Sequence, residues 1–358
     1  MYFNLEKENT AKIERILSAG FWTDGDTVSF QTSGSTGMAK QIIHTKQSLL
    51  ASARAVNNWL CVDASSVWGL ALPLHHVGGF GVAARAYAAD CEFAFYEGKW
   101  NPISFAKWIA EKRVTHASLV PTQIHDLLTA GFQAPTTLIA LVVGGGKITP
   151  EAGQVARDIG WPVLASYGMT ETASQIATQS IDLIHTPYAS SPLELLPIWE
   201  AEETPEGLLR IRGEALFAGT IENGIYRHRE GEWYTTQDRV HVSDNNLTPL
   251  GRTDSQVKVM GELINLEAVE KRFLELAQGT IREGTFAVIT IPDSRRENAL
   301  IAVFERACPE QIITAYQSQA LGPERFVRWI AIEDFPRTDL GKLRRIELRR
   351  MYLEQCSG

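Results

Sequence analysis

The sequence predicts a two-domain α/β protein, and three observations carry that prediction. Helix and strand patterns alternate from residue 48 to residue 143, which is typical of a parallel sheet covered by helices. Short alternating strands separated by Gly, Asn and Asp turns follow from Gly207 and indicate a β-rich segment. From Gly261 helices and strands return in a stretch of about 100 residues, near the usual lower size of a domain.

We therefore expect a large N-terminal domain, residues 1–252, with mainly parallel sheets covered by helices plus the β-rich segment. A small C-terminal α+β domain should follow over residues 253–358. Helices are predicted at 10–20, 48–60, 80–89, 103–111, 122–130, 266–278, 309–321 and from 342, and a further helical run after Thr170. Strands are predicted at 27–30, 67–73, 92–96, 116–120, 138–143, 207–213, 233–236, 239–242, 286–291, 300–304 and 326–332.

Composition limits the class of protein. The 358 residues are 44% hydrophobic and 21% charged, which is typical of a globular chain, and the net charge of −8 argues against non-specific nucleic-acid binding. The four cysteines have neither pairing nor metal-ligand spacing, which fits a reducing compartment. Apolar runs fall short of the roughly 20 residues that span a bilayer, and the N-terminus lacks a signal-peptide pattern. We expect a cytoplasmic protein without a membrane span, and the oligomeric state stays open.

The segment Gln31–Lys40 predicts phosphate chemistry. It follows a short strand and combines small residues, hydroxyls and a lysine, which together offer backbone and side-chain donors to phosphate oxygens. It is not a Walker A loop, because Ala39 occupies the place of the second glycine and Gln41 follows Lys40. Taken alone, such a loop is equally typical of a flexible turn.

Four later segments add to this prediction. Ala165–Thr172 offers an aromatic face for a purine, a hydroxyl for a phosphate oxygen and a carboxylate suited to Mg²⁺. Thr235–Asp238 ends a strand with an acid that could accept two ribose hydroxyls. Gly251–Lys258 lies between the predicted domains, and Pro336–Lys342 places a lysine on a glycine-containing loop.

In this order, the five segments resemble the AMP-forming acyl- and aryl-CoA synthetases, a superfamily that includes peptide-synthetase adenylation domains and firefly-type luciferases. The resemblance runs from about Thr27 to Lys342. More narrowly, the chain is similar to the o-succinylbenzoate–CoA ligase subfamily of menaquinone synthesis. That similarity rests on Leu72–Gly79 with an arginine nine residues after His76, on Thr115–Gln123, and on Trp233–Arg239.

The resemblance implies an ATP-dependent ligase that activates a carboxylic acid as acyl-AMP and passes it to coenzyme A, with Mg²⁺ as cofactor. The residues implied to hold the β- and γ-phosphates are Thr32, Ser33, Gly34, Ser35, Thr36, Gly37 and Lys40. The residues implied for the rest of the nucleotide are Gly144, Gly145, Gly146 and Tyr167 for adenine, Thr170 for the α-phosphate, Glu171 for the metal, and Asp238 with Arg252 for ribose. The resemblance further implies His76 and Arg85 in the acid pocket, Asp254 as hinge, and Lys342 between the acid and the α-phosphate.

Simpler interpretations of the same residues stay open. His76 can belong to an ordinary strand-to-loop junction, and Arg85 can pair with a surface acid. Glu171 can be an acid at a helix N-terminus, and Lys342 one member of a solvated basic face. For function, the alternatives are another aryl- or fatty-acid CoA ligase, or a non-catalytic nucleotide- or acid-binding relative. Only 31 residues precede Thr32, so we expect a large domain shortened at its N-terminus.

Overall fold

The computed structural model describes residues 2–4, 26–33, 39–253, 256–260, 262–282, 284–293, 295–339 and 341–357. The chain divides into two compact units, Met1–Leu250 and Gly251–Gly358. The predicted helix at 10–20 and the predicted hinge residue Asp254 lie outside the described residues. None of the helices in the described part of the chain is long and apolar enough to cross a membrane.

The regular elements of the described residues are numbered here in chain order. The helices are α1 Lys46–Trp59, α2 Val77–Ala89, α3 Pro102–Glu111, α4 Pro121–Ala130, α5 Pro150–Asp158, α6 Leu266–Ala277, α7 Glu310–Gln319 and α8 Arg345–Ser357. The first strands are β1 Tyr2–Asn4, β2 Thr27–Ser33, β3 Ala39–Thr45, β4 Val67–Leu70, β5 Glu92–Phe95, β6 His116–Leu119, β7 Ala140–Val143, β8 Val163–Met169, β9 Ser174–Thr178 and β10 Leu193–Leu195. The others are β11 Trp199–Glu203, β12 Leu208–Gly213, β13 Gly219–Glu222, β14 Ile225–His228, β15 Tyr234–Ser243, β16 Asn246–Arg252, β17 Gln256–Val259, β18 Glu262–Asn265, β19 Phe286–Asp293, β20 Glu297–Glu305 and β21 Phe326–Ile332.

The larger sheet of the first unit changes from parallel to antiparallel at β8. Its strand order is β11-β12-β15-β16-β10-β9-β8-β7-β6-β4-β5. Strands β4 to β8 pair in parallel, and β4, β6 and β7 are buried along their whole length because helices cover both faces. Strand β9 turns back antiparallel to β8. The predicted α/β class, with a parallel sheet and a β-rich segment, is confirmed.

The second sheet carries the segment predicted to bind phosphate. Its order is β1-β2-β3-β13-β14. Strands β2 and β3 form an antiparallel hairpin, and β13 pairs antiparallel with the other edge of β3, with Ile43 opposite Gly219. Burial of Val28, Phe30 and Ile42 anchors this sheet in the core of the unit.

The small unit is a three-stranded sheet between helices. On one face Val288, Leu300 and Phe304 pack against α6 and α7, and on the other Ile289 and Ile301 pack against α8. The two sets alternate along β19 and β20, as the period of two in a strand requires. The strands and helices predicted from residue 266 onward are all present, with ends displaced by a few residues.

The prediction of a helical run after Thr170 is wrong. A single 3-10 turn, Thr170–Thr172, is followed at once by β9. Ala173 and Ser174 have φ of 53° and 106°, so the chain leaves the right-handed helical region and reverses direction there. Glu171 is therefore not the N-terminal acid of a helix.

Gly168 is required by this reversal. A Cβ at Gly168 would lie 1.6 Å from the carbonyl oxygen of Ser174, in the backbone of the returning strand. We expect Gly168→Ala to lower the free energy of unfolding of the large unit by at least about 2 kcal/mol, because backbone must shift to admit a methyl group. Urea unfolding measures this.

Gly78→Ala is the matched control. A Cβ there meets only Leu72 Cδ1 at 3.8 Å, and the residue lies in the first turn of α2. Alanine should be neutral or slightly stabilising at this position. Equal stability of the two variants would contradict the prediction.

Candidate active site

The β2–β3 hairpin presents the ends of the predicted phosphate-binding segment. Thr32 Oγ1 donates to the carbonyl oxygen of Lys40 at 3.1 Å, across the hairpin. Lys40 Nζ lies 3.2 Å from Glu222 Oε1 on β13, and both side chains are partly exposed. Ser33 is described only in its backbone, and the predicted ligands at 34–37 lie outside the described part of the chain. The lysine is held by a carboxylate that an incoming phosphate could replace.

Tyr167, predicted for adenine, and Asp238, predicted for ribose, lie together. Tyr167 Oη donates to Asp238 Oδ2 at 2.6 Å, across 71 positions of sequence. The backbone N–H of Asp238 donates to Thr236 Oγ1 at 3.0 Å, and the aspartate is 8% exposed. An ionised carboxylate only accepts hydrogen bonds, and its two oxygens suit hydroxyl donors such as those of a ribose.

The predicted Gly144–Gly146 segment borders the same place. A Cβ at Gly144 would lie 3.0 Å from Ser166 Oγ, the residue before Tyr167, and Gly145 has a φ of 76°. These glycines let the loop after β7 run close to the end of β8, where the tyrosine lies.

The turn that carries Thr170 and Glu171 is tied down through its carbonyl oxygens. His44 Nε2 lies 2.7 Å from the oxygen of Thr170, the N–H of Phe217 donates to that of Glu171 at 3.0 Å, and Ser52 Oγ donates to that of Ala173 at 3.1 Å. The two side chains predicted to meet phosphate and metal thus come from a turn whose backbone is fixed.

His44 is a residue of this site that motif reasoning missed. It lies on β3 with 0% exposure, and its Nδ1 is 3.1 Å from Ser48 Oγ on α1. Burial disfavours the imidazolium and lowers the pKa of His44 to about 4, against an opposing effect of the Thr170 carbonyl. The ring is therefore neutral at pH 7. The sequence signal that could have indicated a buried histidine was its position between the apolar Ile43 and Thr45, the N-cap of α1.

Arg85 lies in the interior and does not pair with a surface acid, so that interpretation is wrong. It sits on α2 with 2% exposure, and its guanidinium lies 5.3 Å from the ring centroid of Trp68. Its donors reach Ser118 Oγ at 3.2 Å and Ser174 Oγ at 3.4 Å, while Nε has no partner in the described part of the chain. Burial alone lowers the pKa of Arg85 to about 9, so it remains charged at pH 7.

Helix α2 connects Arg85 with the predicted acid-pocket histidine. His76 is the N-cap of α2, and its ring lies against that of His75 with 4.3 Å between centroids. A Cβ at Gly81, one turn before Arg85, would lie 3.4 Å from Arg85 Nη2 and 3.5 Å from Ser174 Cβ. The glycine leaves that side of the guanidinium uncovered by its own helix.

The small unit carries the predicted lysine on a tight loop. The backbone N–H of Thr338 donates to the carbonyl oxygen of Lys342 at 2.8 Å, and that of Lys342 donates to Thr338 Oγ1 at 3.2 Å. Arg337 Nη2 fastens the loop to the carbonyl oxygen of Gly284 at 2.5 Å. Lys342 itself is exposed. Arg252 belongs to this unit too.

Comparison with known proteins defines the class. The family model described as AMP-binding enzyme matches residues 26–219, and the chain belongs to that family. It is 32% identical over 242 residues to the 2-succinylbenzoate–CoA ligase of Escherichia coli K12, covering 67% of this chain and 51% of that protein. It is 26% identical over 361 residues to the same-named ligase of Staphylococcus aureus Newman, covering 94% and 69%.

Solved structures agree with the family. A single-residue variant of E. coli MenE with bound OSB-AMS matches with a TM-score of 0.77 and 26% identity, covering 94% of this chain and 71% of that one. An o-succinylbenzoate CoA synthetase of Bacillus subtilis matches in fold, with a TM-score of 0.75 and 22% identity over 90% of this chain and 68% of that one. The chain thus spans about half the length of the E. coli ligase it matches and about two thirds of the Staphylococcus ligase.

The buried neutral His44 predicts a pH dependence of stability. The folded-state pKa of about 4 lies below the ordinary value of 6.5, so the unfolded chain binds the extra proton between these values. This contribution is fully present above pH 6.5 and is lost as pH falls toward 4. Between pH 7 and pH 5 we expect wild type to lose about 2 kcal/mol more than His44→Gln, which cannot titrate.

Urea unfolding followed by tryptophan fluorescence checks this, because every tryptophan except Trp329 lies in the large unit. Identical pH slopes for wild type and His44→Gln would contradict a buried neutral imidazole.

Proposed function

We propose that this chain is an AMP-forming acid–thiol ligase whose acid is o-succinylbenzoate, serving menaquinone synthesis. The acid and ATP give acyl-AMP and pyrophosphate, and coenzyme A then gives the thioester and AMP. Family membership, the similarity to two 2-succinylbenzoate–CoA ligases and the burial of Arg85 support the proposal. Another aryl- or fatty-acid CoA ligase and a non-catalytic binding relative are its competitors.

The observation that carries the choice of acid is the buried charge of Arg85, which no carboxylate in the described part of the chain pairs with. A buried cation without an anion costs several kcal/mol, so such a site is best explained by an anion that arrives with a ligand. o-Succinylbenzoate has two carboxylates, only one of which is activated. The second carboxylate would pair with the guanidinium, and at Gly81 no side chain of α2 stands beside Arg85 Nη2.

Arg157 is an arginine whose donors are satisfied by the protein itself, and it provides a comparison with Arg85. It too stacks on an aromatic ring, that of Tyr188 at 5.0 Å. Its donors, however, reach the carbonyl oxygens of Val163, Leu183 and Thr186 and the side chain of Gln179 at 2.7–3.3 Å. Arg85 instead has two weaker contacts with hydroxyls. The N–H donors of Arg85 are therefore less satisfied by the protein than those of Arg157, and they can bind an anionic ligand.

In the first half-reaction a carboxylate oxygen attacks the α-phosphorus, and the bond to the pyrophosphate breaks. Two anions must approach each other, so the residues needed are cations and fixed donors. Lys40 would hold the terminal phosphates, Tyr167 and Asp238 the nucleoside, and Thr170 the α-phosphate. Glu171 offers the hard oxygen ligand that Mg²⁺ prefers, and the metal when bound neutralises phosphate charge. His76 would line the acid pocket.

In the second half-reaction the sulfur of coenzyme A attacks the acyl carbonyl and displaces AMP, losing its proton. Lys342 would stand between acid and α-phosphate in the first step and leave before the second. Its place on a separate compact unit supports this proposal, with Asp254 as hinge and Arg252 beside the ribose. The loop of Lys342 is fastened within its own unit, so a movement of the whole unit would be needed.

A cytoplasmic location is part of the proposal, since the four cysteines are free thiols and the substrates are small metabolites. Neither a nucleic acid nor a membrane is a proposed partner.

Acid-dependent exchange between ATP and pyrophosphate tests the function. We expect exchange with o-succinylbenzoate that exceeds exchange with simple aryl or fatty acids, and thioester formation when coenzyme A is added. Lys342→Ala should lower exchange at least about 100-fold, because one preorganised charge contact is removed, yet still convert preformed acyl-AMP. Arg350→Ala, on the basic face of α8, is the matched control and should exchange normally.

Absence of exchange with every acid would favour the non-catalytic relative, and preference for a mono-acid would favour another CoA ligase. Equal loss in both half-reactions of Lys342→Ala would contradict a lysine that leaves.

Arg85→Met tests the identity of the acid. Removing the cation should lower kcat/KM for o-succinylbenzoate about 100-fold, mainly through KM, and change it little for benzoate. Arg157→Met, which removes another arginine stacked on an aromatic ring, should affect both acids equally. A loss that is the same for both acids in Arg85→Met would leave a generic acyl-CoA ligase.

A further inference from the structure

We propose that His44 and Ser52 are positioning residues that clamp the Thr170–Glu171 turn for the adenylation step. The inference rests on the proposed function for its catalytic part. Neither side chain is assigned a contact with substrate, and both would act through the backbone of the turn.

The contacts come from elements that are distant in sequence. His44 belongs to β3 and Ser52 to α1, and they reach the carbonyl oxygens of Thr170 and Ala173 at 2.7 Å and 3.1 Å. Both side chains are buried. The N–H of Phe217 donates to the carbonyl oxygen of Glu171 at 3.0 Å, and the N–H of Ala173 closes the turn onto that of Thr170 at 3.3 Å. A turn of this kind has few bonds of its own, so these partners determine where its side chains point.

The chemistry of the carbonyl fixes the tautomer of His44. A carbonyl oxygen only accepts, so Nε2 must carry the proton, and the neutral ring then accepts at Nδ1 from the hydroxyl of Ser48. Ser48 Oγ also lies 3.0 Å from the carbonyl oxygen of Thr45. A hydroxyl has one proton, so while the ring is neutral that proton is donated to His44 Nδ1. Ser48 on α1 thereby sets the orientation of the ring, and this orientation directs the Nε2 proton at the carbonyl oxygen of Thr170.

His44 further connects the turn with the phosphate-binding hairpin. Lys40 and His44 lie on the same strand at positions that face the same side, about 13 Å apart at roughly 3.3 Å per residue. A strand is stiff over that distance. The bond from His44 to Thr170 therefore fixes the spacing between the lysine for the terminal phosphates and the turn proposed for the α-phosphate and metal. Misplacement of such groups by about 1 Å can cost about 100-fold in rate.

The test uses two substitutions that differ only in the donor. His44→Gln can place an amide N–H near the position of Nε2, whereas His44→Met fills similar volume without a donor. His116 supplies the matched control. It is also buried, on β6, with Nε2 3.1 Å from the carbonyl oxygen of Leu60, away from the turn. His116→Met should cost stability without loosening the turn.

Hydrogen–deuterium exchange of peptides covering residues 169–175 gives a readout that does not require activity. We expect about tenfold faster exchange in His44→Met and in Ser52→Ala, and wild-type exchange in His44→Gln and His116→Met. In ATP–pyrophosphate exchange, kcat of His44→Met should fall about 10- to 100-fold with KM for the acid changed less than about threefold. His44→Gln should recover most of that loss.

If hydrogen–deuterium exchange of residues 169–175 were the same in His44→Met as in wild type, the clamp would be overturned. An equal fall of kcat in His116→Met, or no recovery in His44→Gln, would show that the effect is general destabilisation and would overturn the positioning role. A wild-type protein that is inactive with every acid overturns the proposed function instead, and the deuterium exchange still decides whether His44 holds the turn.

Discussion

The arrangement of the site depends on one constraint, the reversal of the chain after β8. This strand pairs in parallel with β7 and antiparallel with β9, so a turn must form where a crossover helix would otherwise follow. The segment around that turn then meets each part of the proposed site. Tyr167 contacts Asp238, Thr170 contacts His44, and Ser174 contacts Arg85. Gly168 permits the close approach of the returning strand β9. His44, Ser52 and Phe217 bind the carbonyl oxygens that would otherwise have been bonded within a helix.

Charge is distributed unevenly around this turn. Arg85 and Lys40 carry positive charge on two sides of it, the first deeply buried and the second paired with Glu222 at the surface. His44, between the strand and the turn, is neutral because burial lowers its pKa. The side chains of His44 and Ser52 that hold the turn are therefore uncharged, and in the proposed function the two cations would bind anionic groups of the nucleotide and of a dicarboxylic acid. This separation suits a reaction between two anions, since fixed dipoles and distant cations need no rearrangement when charge moves.

The sequence was sufficient for the fold class, because continuous apolar strands have a local signature, whereas the roles assigned to the nucleotide motifs stay predictions. It also brought Tyr167 and Asp238 to one proposed site, through family motifs rather than through any local pattern. The burial of Arg85 was beyond local reasoning, since helix α2 is apolar nearly all round and its covered faces are decided by strands β4, β6 and β9. His44 was missed because its partner is 126 positions away. The prediction of a helix after Thr170 was wrong because the chain turns back there and Ser174 packs against the backbone of Gly168. Composition gives no sign of such a contact.

The pairing of β3 with β13 has a consequence for synthesis of the chain. Strand β3 has β2 on one side as soon as the hairpin is made, but its other edge pairs with residues 218–221, far along the chain. While the ribosome is still synthesising the parallel half of the larger sheet, that edge exposes unpaired backbone groups. These lie beside Ile42 and Ile43, which are buried only in the folded protein. Such non-local contacts slow folding, and they leave a nascent chain open to wrong strand pairing for most of its translation. Chaperone demand should therefore be greatest before β13 emerges from the exit tunnel.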